Sequence, residues 1–136
     1  MTNPFVGKWS YRSFLNNPDL NVEFNALRFA AAPMELASSS FHQVRGKLIF
    51  DPDETEFMLL NGVCSFGNPF AVRMQGIGGS PQTQGWIYNY QGFLVPNWPD
   101  SVDQRPAIVG SVIRTVPHGA DKPAGVVASF IAVRQD

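Results

Sequence analysis

The sequence predicts an all-β fold, an eight-stranded antiparallel up-and-down barrel, and three observations carry that reading. Turn-forming clusters recur at even spacing: Asn16-Asn17-Pro18-Asp19, Ser38-Ser39-Ser40, Asp51-Pro52-Asp53, Phe66-Gly67-Asn68-Pro69, Gly78-Gly79-Ser80-Pro81, Pro96 to Pro106, and Pro117-His118-Gly119. The segments between them alternate with period two, and helical periodicity is nearly absent. Glycine falls inside the expected strands at Gly46, Gly62, Gly76, Gly92 and Gly110, where it permits the coiling that closes a barrel.

The expected strands are Gly7–Phe14, Met34–Ser39, His42–Phe50, Glu56–Ser65, Phe70–Gly76, Gly85–Val95, Ala107–Val116 and Gly125–Arg134. Trp9, Tyr11 and Ser13 share one face of the first, and Lys8, Ser10 and Arg12 the other. Phe70, Val72 and Met74 oppose Ala71, Arg73 and Gln75. Trp86, Tyr88 and Tyr90 oppose Ile87, Asn89 and Gln91. In the last strand, Val126, Ala128, Phe130 and Ala132 oppose Val127, Ser129, Ile131 and Val133. Both of its faces are apolar or small, which suits a strand covered on both sides, as at a homodimer or homotetramer interface. The segment Asn21–Ala32 reads equally as a strand or as a short helix capped by Asp19 and stopped by Pro33. A helix there would plug one end of the barrel.

Composition bounds the function. The 136 residues, 44% hydrophobic and 15% charged, fit one domain and exclude a disordered or coiled-coil chain. A net charge of -1 supplies no basic field for nucleic acid. No apolar run approaches the ~20 residues of a membrane-spanning helix. One cysteine, Cys64, precludes an intrachain disulfide. The N-terminus lacks the pattern of a secretory signal, so the expected home is cytoplasmic.

Phe5-Val6-Gly7-Lys8-Trp9 opens the fold. A Gly-X-Trp on the first of eight antiparallel strands resembles the calycins: lipocalins, fatty-acid-binding proteins and avidins. The resemblance implies that Trp9 closes one end of the barrel and that Arg134, late in the chain, packs across it. Within the calycins the strand lengths look most like avidin. The residues with which avidins hold biotin have no counterparts, since Lys47 and Leu48, Gln75 and Gly76, and Ala128 and Ser129 stand at those places.

No complete catalytic, metal or cofactor motif is legible. Asp51–Glu56 lacks the glycine and glutamate spacing of a calcium loop and reads as a hairpin turn. Gly76–Ser80 is glycine-rich, but no helix pattern follows to build a phosphate cradle. His42, His118 and Cys64 are too few and too scattered for zinc. His118, in a turn, reads as an exposed side chain, with acid–base work as the alternative.

The aromatic face Trp86, Tyr88 and Tyr90 offers two hydroxyls and an indole N–H, which fits a wet lumen as well as a packed core. Arg114 stands in an otherwise apolar strand, where an inward charge demands an anionic partner. The long loop around Trp98 reads as a cover for the barrel mouth or an anchor on a neighbour. The expected function is therefore non-covalent binding of a small, partly apolar, anionic molecule. Tyr11, Trp86, Tyr88 and Tyr90 would line the cavity, Arg114 would pair the acid group, and Trp98 would cover the mouth. Two alternatives stand beside it: an isomerase- or cyclase-type enzyme on the same barrel, and a structural subunit with a filled core.

Overall fold

The computed structural model describes residues 3–136. Eight strands run in chain order: β1 (Gly7–Leu15), β2 (Arg28–Ser40), β3 (Gln43–Ile49), β4 (Phe57–Phe66), β5 (Phe70–Gly78), β6 (Ile87–Leu94), β7 (Ala107–Arg114) and β8 (Val127–Arg134). Each pairs antiparallel with the next, and β1 pairs with β8, so the sheet closes with no free edge. Short 3-10 turns at Phe24–Leu27 and Pro81–Thr83 are the helical elements among the described residues. None is long and apolar enough to cross a membrane.

Period-two alternation sets the inside. Trp9, Tyr11 and Ser13 of β1, Val72 and Met74 of β5, Tyr88 and Tyr90 of β6, and Ala128, Phe130 and Ala132 of β8 are buried. Their neighbours Lys8, Arg12, Arg73, Asn89 and Gln91 are exposed. Val127 is exposed and Ile131 and Val133 half-buried on the outer face of β8, so that face is not fully covered by the described residues.

Glycine permits the close strand approach that curls the sheet. A Cβ on Gly46 would sit 1.7 Å from the Glu35 carbonyl oxygen, and one on Gly110 would sit 1.9 Å from that of Gln91. Any side chain at either place would push neighbouring strands apart.

In Asn21–Ala32 the helix reading gives way to a single turn, and the strand reading holds from Arg28 onward. A single 3-10 turn covers Phe24–Leu27, and β2 begins at Arg28, six residues before the expected Met34. Pro33 lies inside the strand opposite Ser10. Its ring fixes an extended-compatible φ and removes one ladder donor, and the β1–β2 register runs through it unbroken. No helix plugs the barrel, and Phe24 is 82% exposed. That end stays open.

The opposite end is closed. The stretch before β1 folds under the barrel, with Phe5 and Trp9 fully buried. Trp9 Nε1 donates to the Phe5 carbonyl at 3.1 Å. Arg134, paired with Trp9 across β8 and β1, lies 4.6 Å over the indole ring. Its Nη1 and Nη2 donate to the carbonyls of Val6 and Pro4 at 3.1 and 2.6 Å. One guanidinium thus ties the entering segment to the first and last strands.

Replacing Arg134 removes a cation–π contact and two charged hydrogen bonds. Arg134→Met is expected to lower unfolding free energy by about 2–4 kcal/mol in urea denaturation. Arg73→Met, on an exposed outer position, is expected to stay within about 0.5 kcal/mol of the parent. Equal effects from the two would contradict the closing role.

Candidate functional site

The open end holds a cavity of about 380 Å³. Its floor is Tyr11, Leu48, Met58, Tyr90 and Val112, and its wall is Phe29, Phe50, Trp86 and Tyr88. Arg114 enters from β7, and Arg28, Glu56, Gln82, His118 and Lys122 stand around the mouth. Five of the six ligand-contacting residues expected from the sequence, Tyr11, Trp86, Tyr88, Tyr90 and Arg114, therefore lie on one cavity.

Trp98 does not join them. It is 68% exposed on the loop between β6 and β7, at the end closed by Trp9 and Arg134. In an up-and-down barrel, loops after even-numbered strands emerge at the end where the chain enters β1. Trp98 therefore cannot cover this mouth. Gln104 instead fixes the base of its loop, accepting from Trp98 N at 2.9 Å and donating to the Pro96 carbonyl at 2.8 Å.

Arg114 is 7% exposed and organises the site. Its Nε donates to the Tyr88 hydroxyl at 2.9 Å, and Nη1 donates to the Pro123 carbonyl at 3.2 Å. Its guanidinium carbon stands 5.2 Å from the Phe29 ring centroid and 5.7 Å from that of Tyr88. Both hydrogen-bond partners are neutral, so a buried positive charge faces the cavity without a carboxylate among these contacts. Tyr88 passes the chain on: its hydroxyl lies 2.6 Å from His118 Nε2. With Arg114 donating to the phenol oxygen, the phenol proton is free to bond the imidazole nitrogen.

His118 is stacked on Trp86, ring centroids 4.2 Å apart and planes 22° apart. Its amide donates to the Lys122 carbonyl at 3.0 Å, and Lys122 N donates back to the Gly119 carbonyl at 3.3 Å, forming a tight turn. Gly119 takes φ +100°, where a side chain is strained. Burial and the charges of Arg114 and Lys122 hold the His118 imidazole below its ordinary pKa. This favours the neutral ring that the Tyr88 hydrogen bond requires.

Three local devices position the remaining wall. A register shift between Ser13 and Phe14 pairs them with Ala30 and Arg28, leaving Phe29 as the extra residue of a bulge. The bulge re-aims Phe29 inward, edge-on to Tyr88 with centroids 6.2 Å apart. The Ser80–Thr83 capping box pins the Pro81–Thr83 turn to β4 through Thr83 Oγ1, which donates to the Phe57 carbonyl at 2.8 Å. That sets Gln82, Thr83 and Trp86 at the mouth. Asp51 accepts from Thr55 N, Thr55 Oγ1 and Glu56 N at 2.7–2.8 Å, so the acidic run serves as a hairpin turn. The Thr55 hydroxyl and the backbone bonds hold the Asp51 carboxyl below the ordinary range.

Phe29 and Arg28 were not legible as site residues, because nothing in Arg-Phe-Ala-Ala-Ala signals a bulge. Glu56 reads as part of a solvated hairpin turn, and no sequence motif marks Lys122. His118 was weighed for its chemistry, but its partner Tyr88 is 30 residues away. No protein-family model, curated protein or solved structure matches this chain.

His118 is expected to titrate below its ordinary value of 6.5 in an NMR pH series. Arg114→Met removes one of the charges that depress it and is expected to move its midpoint upward. A midpoint that stays put would show that the guanidinium does not face the ring.

Proposed function

We propose that this chain is a calycin-like barrel that binds a small, partly apolar anion in its open end, without covalent chemistry. One observation carries the reading: Arg114, buried and charged, lines an aromatic-walled cavity and takes only neutral partners. A charged hydrogen bond from a ligand carboxylate, sulfonate or phosphate would satisfy that charge at short range. Arg28 and Lys122 stand against one acid, Glu56, around the mouth, so the local field draws an anion inward. Phe29, Phe50 and Trp86 supply planar apolar surface for the rest of the molecule. Cys64, buried and free, suits a reducing compartment, and we place the protein in the cytoplasm.

A second reading, acid–base catalysis of an isomerase or cyclase type on the same barrel, is favoured by the hydrogen-bonded chain Arg114–Tyr88–His118. A neutral imidazole bonded to a phenol can hold a proton taken from a ligand bound beside it. Binding without turnover separates the two readings.

Two measurements test the anion reading. Native mass spectrometry of freshly purified protein is expected to show a retained small acid. The same spectrum gives the subunit count, and a dimer or tetramer would support the outer face of β8 as an interface. In calorimetry, para-isopropylbenzoate is expected to bind about tenfold or more tightly than neutral para-isopropylbenzamide, and Arg114→Met is expected to remove that difference. Equal binding of acid and amide by the parent protein would overturn the reading.

A further inference from the structure

Below the Arg114–Tyr88 layer the cavity has a second polar feature, and it is neutral. Tyr11 and Tyr90 are 3% and 4% exposed, and both line the floor. Their rings meet edge to face with centroids 6.1 Å apart. Phe130 packs on both, 5.5 Å from Tyr11 and 6.0 Å from Tyr90, so neither ring is free to turn away. The hydrogen bonds at this end engage Tyr88. The Tyr11 hydroxyl lies close enough to those of Tyr90 and Ser13 for each to influence the ionisation of the phenols. The Ser13 hydroxyl, fully buried, has no partner among the described residues.

The floor thus offers hydroxyl donors in an apolar setting of Leu48, Met58 and Val112. A ligand that fills the cavity with hydrocarbon alone would strand them, at a cost comparable to a lost hydrogen bond each. Burial drives both phenols above their ordinary pKa, so they remain protonated donors at every physiological pH. The same burial disfavours a second charge at that depth. Tyr90 follows Tyr88 by two residues on β6, roughly 6–7 Å further along the strand. An aromatic ring bridges that step.

We propose that the ligand is a ring-containing acid with a neutral carbonyl acceptor at the far end, the anion at Arg114 and the carbonyl at Tyr11 and Tyr90. This rests on the anion-binding reading above and adds the ligand's polarity and its direction of entry.

The probes are para-acetylbenzoate and para-isopropylbenzoate, which have the same number of heavy atoms and differ chiefly in the buried acceptor. Calorimetry is expected to show para-acetylbenzoate bound about three- to tenfold more tightly by the parent protein. Tyr90→Phe and Tyr11→Phe, each and together, are expected to abolish that preference, chiefly by tightening para-isopropylbenzoate, which no longer strands a hydroxyl, and urea denaturation of each variant checks that it folds. Equal affinity for the two acids would overturn the inference and leave anion binding standing. A preference that survives in the double variant would overturn it as well. Failure of both acids to bind would overturn the anion reading and this inference with it.

Discussion

A guanidinium cannot be taken out of water without partners, and Arg114 is 7% exposed. Much of the open end is arranged around that constraint. The Tyr88 hydroxyl meets its Nε, the Pro123 carbonyl meets Nη1, and the rings of Phe29 and Tyr88 cover its faces. The Pro123 bond draws the loop after β7 back over the mouth, and that loop carries His118 onto Tyr88 and Trp86. All of these partners are neutral. The charge is solvated by dipoles and rings, and its remaining capacity points into the cavity.

The two ends of the barrel solve the same problem differently. At the closed end Arg134 also lies on an aromatic ring, but its terminal nitrogens are bonded to the carbonyls of Pro4 and Val6, in the segment that seals the barrel. At the open end no helix forms within Asn21–Ala32 to act as a seal, and Arg114 lines the cavity. A closed, rigid end opposite an open, charged one is the arrangement expected of a barrel that takes a small molecule from one direction.

Much of this was legible in the sequence. Even turn spacing and period-two alternation located all eight strands, because a closed barrel with one wet and one dry face writes itself directly into residue order. Trp86, Tyr88 and Tyr90 marked out one face and a lone charge in an apolar strand marked out Arg114, but residue order alone left open which faces turn inward. What was not legible depends on contacts between distant residues. The bulge at Phe29 arises from pairing with β1, and no local residue announces it. The meeting of His118 with Tyr88 requires the β7–β8 loop to fold back, which Arg114 governs from outside the loop. Trp98 was assigned to the wrong end because strand parity, rather than loop length, decides which mouth a loop can reach.

The central claim is that Arg114 seats an anion inside the barrel, and locating a heavy-atom acid in a crystal tests it most directly. A crystal soaked with para-iodobenzoate is expected to show the carboxylate on the Arg114 guanidinium and the iodine, found by anomalous scattering, on the floor beside Tyr11 and Tyr90. Iodine confined to the outer surface, or a carboxylate bound at the mouth with the Arg114 guanidinium untouched, would contradict it.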